Sequence, residues 1–348
     1  MPKILIDNQE IEVPQGTTVL DAAGRLGIEI PTMCHSSSAG SGTSCMVCVV
    51  AIKGRRNLVP ACATIAEDGM QIDTCGDEVV AARKTNLELL LSDHVGDCIA
   101  PCQMADPNKT NIPAVIRHIA AGDTAAAAKL LPANLADIDG SKAQRACRRA
   151  RRDEPVAIDL LLKYAAAQTK NAPANQTNQK PAAHRFSVHI GKLSEVELDR
   201  FMVGISPDPQ VIPADPQTGY TPAEAAAEAK RCMHCDCRKA DNCKLRDYAE
   251  AYGAKSAHFR TTRREFIQNL EHPEVIYEPG KCICCGLCVR ITRQECEPYA
   301  LSFVGRGFGV QVAPSLEKDI SQALQKAAAR CVEACPTGAL AMRNNSAD

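Results

Sequence analysis

The chain has 348 residues, with 40 basic against 41 acidic side chains and a formal charge of −1; at roughly 100–200 residues per domain this suggests two to four domains. The balance of charge excludes a protein built to neutralise nucleic-acid phosphates, and no apolar run reaches the roughly 18 residues of a membrane span. Trp is absent, aromatics are 3% and Cys numbers 19, so large core-filling side chains are scarce and thiols abundant.

Residues 1–80 read as β-rich. Ile4, Leu5 and Ile6 make a short apolar strand, and Ile11 and Val13 a second, with Asp7-Asn8 as the turn. Thr18 is placed to cap a helix over 19–26 that stops at Gly27. Cys34 follows, then a Ser/Gly-rich loop at 36–44, then Cys45 and Cys48, a strand at 49–52, and Cys62. Residues 81–170 read as helical, from Leu87, Leu89, Leu90 and Leu91, Ile116, Ile119 and Ala120, and the stretches 125–131 and 156–167. Residues 171–220 form a linker and extended segment. The polar, Pro-punctuated part is 168–184; an amphipathic stretch at 193–203 and a Pro-rich run come after it.

Residues 221–273 open with Thr221-Pro222-Ala223-Glu224, the order of a capping box with Pro at the first helical position. A helix is expected to about Arg231, delivering Cys232 from its end. Residues 274–348 hold two cysteine groups separated by a helical stretch at 316–330 with Ser315 as its cap.

The opening MPKILIDNQEIEVPQG has no basic segment leading into an apolar stretch, so no secretory signal is expected and a cytoplasmic protein is the default. Thiols there stay reduced, and an odd number of cysteines cannot all pair. Metal ligation is the expected use.

Cys34, Cys45, Cys48 and Cys62 are spaced C-x10-C-x2-C-x13-C. Four soft thiolates with a tight C-x2-C pair on a Gly-rich loop suit a [2Fe–2S] cluster. Zinc would accept the same donors, but the spacing matches no compact zinc ribbon. Cys75 reads as a spare thiol on a strand. The run VPQGTTVLDAAGRLGIEIPTMCH, the C-x2-C and ACATIAEDGMQIDT resemble a complex-I-type [2Fe–2S] ferredoxin domain. Such domains begin the large iron–sulfur subunit of NADH-oxidising complexes and also occur in NAD-linked hydrogenases and formate dehydrogenases.

A bacterial two-cluster ferredoxin carries C-x2-C-x2-C-x3-C-P twice, and the fourth Cys of each run serves the other cluster. Here Cys282, Cys285 and Cys288 fill three positions, but the fourth is Thr292. The second run keeps Cys331 and Cys335-Pro336, with Gln325 and Ala328 at its earlier positions. The crossing rule then gives one complete [4Fe–4S] site, from Cys282, Cys285, Cys288 and Cys335, and one empty site holding only Cys331. Cys284 or Cys296 is the alternative ligand, with Cys335 structural. The segments GKCICCGLCV and CPTGALAM resemble the ferredoxin-like module of the same redox subunits. The glycines at 305, 307 and 309 do not follow the dinucleotide fingerprint.

Cys232, Cys235, Cys237 and Cys243 lie within twelve residues, and either a second [4Fe–4S] cluster or a structural zinc would satisfy them. Iron–sulfur is favoured, because EAKRCMHC resembles a cysteine run of the glutamate-synthase small-subunit family. The segments from HVGDCIAPCQ to ACRRARRDEPVAI resemble the helical N-terminal domain of that family with its cluster sites degraded. Asp106 and Ala143 stand where cysteines are expected. His94, Cys98, Cys102 and Cys147 form an alternative four-ligand set. The basic run from Arg145 to Arg152 reads as a solvated helix face or, alternatively, a docking patch.

The expected fold class is α+β and multi-domain: a β-grasp ferredoxin, a helical domain and a ferredoxin-like [4Fe–4S] module. With no nucleotide fingerprint and no P-loop, the chain reads as a non-catalytic electron relay. The resemblance implies a subunit of a multi-subunit oxidoreductase. Its partners would be a flavin- or NAD(P)-binding subunit and a further catalytic subunit or ferredoxin, with neither nucleic acid nor a direct membrane span. A redox sensor or an assembly subunit with vestigial clusters is the alternative.

Overall fold

A computed structural model describes residues 1–132, 139–168, 186–260 and 262–343. The chain is mixed α and β and divides into two units. The first takes residues 1–95, Phe186 and 241–343; the second takes 96–168 and 187–240, as far as these are described. The linker expected at 168–184 lies outside the described residues except for Gln168.

The first unit begins with a five-stranded sheet. Strands β1 (Lys3–Ile6) and β2 (Gln9–Glu12) form a hairpin whose two turn residues, Asp7 and Asn8, both have positive φ. Asn and Asp tolerate that conformation better than other non-glycine residues. Helix α1 (Val19–Arg25) starts where Thr18 accepts from the Asp21 N–H, and the chain leaves it through Gly27 at φ +74°. Strands β3 (His35–Ser36) and β4 (Gly40–Ser41) form a small separate pair. Strands β5 (Val49–Ile52), β6 (Val59–Pro60) and β7 (Gln71–Asp73) complete the sheet in the order β2-β1-β7-β5-β6. The β1–β7 pairing is parallel and the others antiparallel. Val19, Ala22 and Ala23 of α1 pack on Ile4, Ile6 and Val50 of the sheet, the β-grasp arrangement. Cys75 is exposed and follows β7 instead of lying on a strand.

Helix α2 (Asp77–Ser92) packs on β5, and buried Arg83 donates twice to the Val49 carbonyl, at 3.2 and 2.9 Å. The sequence boundary at residue 81 therefore falls inside a helix of the first unit.

In the second unit, helices α3 (Pro101–Ala105), α4 (Ile112–Ala120), α5 (Thr124–Lys129), α6 (Ser141–Arg145), α7 (Ile158–Gln168) and α9 (Pro222–Ala229) surround one core, and α8 (Glu195–Met202) lies between α7 and α9 in the chain. Ile112, Ile116 and Ile119 of α4 meet Leu161 and Ala165 of α7 and Ala225 of α9 there. Both α8 and α9 carry capping boxes, Ser194 with Glu197 and Thr221 with Glu224.

The basic run is only partly a solvated face: Arg145, Arg151 and Arg152 are exposed, whereas Arg148 and Arg149 turn inward. Arg149 is fully buried, forks onto Asp153 at 2.8 Å through two nitrogens, and reaches the Ser206 and Arg231 carbonyls. Arg148 pairs with Asp97, and Arg152 with Asp199. The extended segment before α9 is held in place by guanidiniums: Arg231 donates to the Asp208 carbonyl and to Glu228, whose other oxygen accepts from the Val211 N–H.

The first unit resumes with α10 (Lys244–Ala251) and the antiparallel pair β8 (Val275–Tyr277) and β11 (Leu340–Met342). Between them come α11 (Leu287–Gln294), the hairpin of β9 (Leu301–Val304) and β10 (Gln311–Pro314), α12 (Ile320–Ala323) and α13 (Ala328–Ala334). The helix expected over 316–330 is broken. Leu316 has φ +60°, and Glu297 Oε1 accepts the Lys326 and Ala327 N–H groups at 2.5 and 2.8 Å. A side chain thus takes up donors that a continuous helix would use internally.

Candidate metal centres

None of the 19 cysteines is in a disulfide. In the N-terminal sheet domain, Cys34, Cys45, Cys48 and Cys62 are all buried. Gly40, Thr43 and Met46 adopt positive φ across the ligand loop, which turns successive N–H groups inward. The Ser44 and Cys45 N–H groups reach the Cys34 sulfur. Hydrogen bonds from Cys45 and then Cys62 drive the Cys34 thiol far below its usual value. Donation drives Cys45 and Cys62 up, and a bond from Cys62 lowers Cys48 to about 7. Four buried thiols within hydrogen-bonding reach of one another, ringed by amides, fit a [2Fe–2S] cluster as donor set and cradle.

In the C-terminal part of the same unit, Cys282, Cys285, Cys288 and Cys335 line one small apolar cavity beside Tyr277 and Thr337. Gly286 at φ +72° turns the chain into α11. Burial pushes Cys285 up to about 12, and it also raises Cys288. Thr337 Oγ donates to the Lys281 carbonyl at 2.8 Å, bracing Cys335 against the first run. Cys331 is not in this lining; its sulfur faces the Cys288 carbonyl at 3.8 Å. Thr292 has its hydroxyl 3.0 Å from that same carbonyl and accepts from the Leu301 N–H. The position of a missing cysteine is thus used for packing. Cys284 hydrogen-bonds Cys282 and faces the Val310 carbonyl, and Cys296 is exposed.

The two sites of this unit adjoin. Arg290 of α11 donates to the carbonyls of Ala39 at 2.8 Å and Cys34 at 2.9 Å, and Gln294 Nε2 to Ser38 at 3.1 Å. A Cβ on Gly42 would stand 2.8 Å from the Cys285 carbonyl.

The middle run spans the boundary between the two units. Cys232, Cys235 and Cys237 belong to the second unit and Cys243 to the first, where its sulfur lies 3.9 Å from the Pro336 carbonyl. Within the second unit, Cys102 and Cys147 pack against the core that contains Cys232. Burial, then the negative charges of Cys232, Cys235 and Cys147, push the Cys102 thiol far up. Burial likewise raises Cys232 to about 12 and Cys235 further, each also feeling Cys147. The His234 N–H points at the Cys232 sulfur at 3.4 Å. The structure therefore brings together Cys102, Cys147, Cys232 and Cys235, the first two of which read as remnants in the sequence. Elsewhere in this unit the Cys237 N–H donates to the Cys98 carbonyl at 3.5 Å, and the Val188 N–H points at the Cys98 sulfur at 3.4 Å. His94 belongs to the first unit and is half-buried, with its Nδ1 atom buried and unpartnered.

Known proteins share parts of this arrangement. Residues 2–76 match the family described as 2Fe-2S iron-sulfur cluster binding domain. The N-terminal domain is a [2Fe–2S] domain. Over 104 residues the chain is 49% identical to the NADP-reducing hydrogenase subunit HndD of Solidesulfovibrio fructosivorans, covering 28% of this chain and 18% of that protein. Over 98 residues it is 48% identical to a subunit of the NADH-quinone oxidoreductase of Rhizobium meliloti, covering 28% of this chain and 12% of that one. The chain thus spans less than a fifth of either relative. A chain in the crystal structure of an NAD+-reducing [NiFe]-hydrogenase in the H2-reduced state superposes with a TM-score of 0.54 at 19% identity, over 99% of this chain and 88% of that one. That likeness shows the fold. No helix among the described residues is long and apolar enough to cross a membrane.

Proposed function

We propose that the chain is an iron–sulfur electron-transfer subunit of a cytoplasmic multi-subunit oxidoreductase. It relays single electrons between a flavin- or NAD(P)-binding partner and a further redox subunit or ferredoxin. The observation that carries this reading is the adjacency of two four-thiol sites in one unit, joined where Gly42 lies against the Cys285 backbone. Relatives named as subunits of hydrogenase and NADH-quinone oxidoreductase support it.

In this reading Cys34, Cys45, Cys48 and Cys62 hold the [2Fe–2S] cluster. Cys282, Cys285, Cys288 and Cys335 hold one [4Fe–4S] cluster, and Cys102, Cys147, Cys232 and Cys235 a second. Such clusters exchange one electron at potentials set by hydrogen bonds, burial and nearby charge. The chain's own residues supply that environment: amides at Cys34, an apolar wall at Cys288, and Arg148 hydrogen-bonded to Cys235.

Stepwise anaerobic titration with dithionite tests the reading. The full chain should take up one electron per cluster, about three in all, and return them to an oxidised ferredoxin. NAD(P)H alone should leave the visible spectrum unchanged until a flavoprotein partner is added. Oxidation of NAD(P)H by the isolated chain, or failure to pass electrons to ferredoxin, would overturn it.

A further inference from the structure

Arg290 carries a feature that the ligand sets do not explain. Its guanidinium leaves α11, two residues beyond Cys288, and turns away from the cavity into the other site's ligand loop. Nε donates to the Ala39 carbonyl at 2.8 Å, and Nη2 to Cys34 at 2.9 Å and to Gly40 at 3.3 Å. Nη1 would lie 2.9 Å from a Cβ on Gly42 and 3.2 Å from one on Gly286. One cation therefore occupies the seam between Cys34 and Cys285. The seam has no room for a side chain at Gly42, and the negative charges of Cys34 and Cys335 bear on Cys285 across or beside it.

We propose that Arg290 is the positioning residue that fixes the two clusters of this unit at transfer distance and biases both toward the reduced state; this rests on the ligand sets proposed above. Three carbonyl acceptors on a planar fork hold a loop more tightly than a point charge could, because arginine presents its donors in fixed directions. A cation beside thiolate ligands stabilises the added negative charge when an electron arrives. The step is balanced in the simplest way: one electron leaves one cluster and enters the other, with no proton and no bond change. Gly42 is the second half of the device, since only glycine lets the ligand loop approach the Cys285 carbonyl so closely.

The test compares full-length wild type, R290M, R290K and G42A by iron content, EPR of the dithionite-reduced protein and potentiometric titration. Wild type should show magnetic interaction between the reduced [2Fe–2S] and neighbouring [4Fe–4S] centres. R290M should keep its iron but weaken that interaction and lower the reduction equilibrium constant of the [2Fe–2S] centre about tenfold, ~59 mV for one electron. R290K should restore most of the potential but not the interaction, separating charge from reach. G42A, whose added methyl meets both the Cys285 carbonyl and Arg290 Nη1, should weaken the interaction as well. Unchanged interaction and potential in R290M, at full iron content, would overturn the role of Arg290 and leave the relay reading standing. A wild-type chain without both reducible centres would overturn the relay reading itself.

Discussion

Cys335 and Cys331 are four residues apart, yet only the first faces the cavity shared with Cys282, Cys285 and Cys288. Cys335→Ala should therefore lose about four irons per chain and the matching [4Fe–4S] signal. Cys331→Ala should keep both, at a cost in packing alone. The reverse pattern, read by iron analysis and EPR, would show that Cys331 is the ligand. Asp153 gives a second residue-level test. Hydrogen bonds from Arg149 hold its carboxyl below the usual carboxylate range. A carboxyl depressed in the folded state adds stability above its unfolded value of ~3.9, and that stability is lost as pH falls through the lower folded value. Urea unfolding should thus show the protein weakening below about pH 4. Asp153→Asn should be less stable at pH 7 and lose part of that acid dependence; an unchanged acid slope would contradict the assignment. Cysteine spacing alone separates Cys335 from Cys331, because the crossing rule concerns ligand order. The partners of Arg149 and Arg231 are illegible in the sequence, because a buried arginine and a solvated one look alike in a charge run.

Secondary structure is most readable where local chemistry decides it. The Asp7-Asn8 turn, the Thr18 cap and the Thr221–Glu224 box all act within four residues, and each element begins where those residues place it. Thr221→Ala should cost about 1 kcal/mol of stability by removing the cap of α9, measurable as a lower urea midpoint with unchanged m-value. No change would mean that Pro222 alone sets the start of the helix. Where distant residues intervene the reading fails. The stretch 316–330 has helical composition, but Glu297 binds the N–H groups of Lys326 and Ala327 and ends the helix between α12 and α13. The leucines of α2 point to the helical domain, whereas Arg83 ties that helix to Val49 of the sheet. Both misreadings come from side chains bonding backbone far away in sequence.

At the scale of the whole molecule, the thiols are sorted by unit and not by their order along the chain. The run from Cys232 to Cys243 looks like one site in sequence, but its ends fall in different units, and Cys232 and Cys235 join Cys102 and Cys147. The hint was present: the segments around Cys102, Cys147 and Cys232 resemble one and the same family. Chain order conceals it, because the C-x2-C pair comes last. Replacing Cys102 or Cys147 with Ser should remove the same cluster as replacing Cys235, while Cys75→Ser should remove none. Loss of iron on replacing Cys235 but not Cys102 or Cys147 would restore the sequence grouping.

The proposed relay places clusters at three sites and rests on the two that adjoin, so iron, acid-labile sulfide and zinc per anaerobically purified chain, with low-temperature EPR after dithionite reduction, test it most directly. About ten irons are expected, with signals from one [2Fe–2S] and two [4Fe–4S] centres. About six irons with one zinc would make the site at Cys102, Cys147, Cys232 and Cys235 structural. Zinc in place of iron throughout would contradict the electron-transfer function outright.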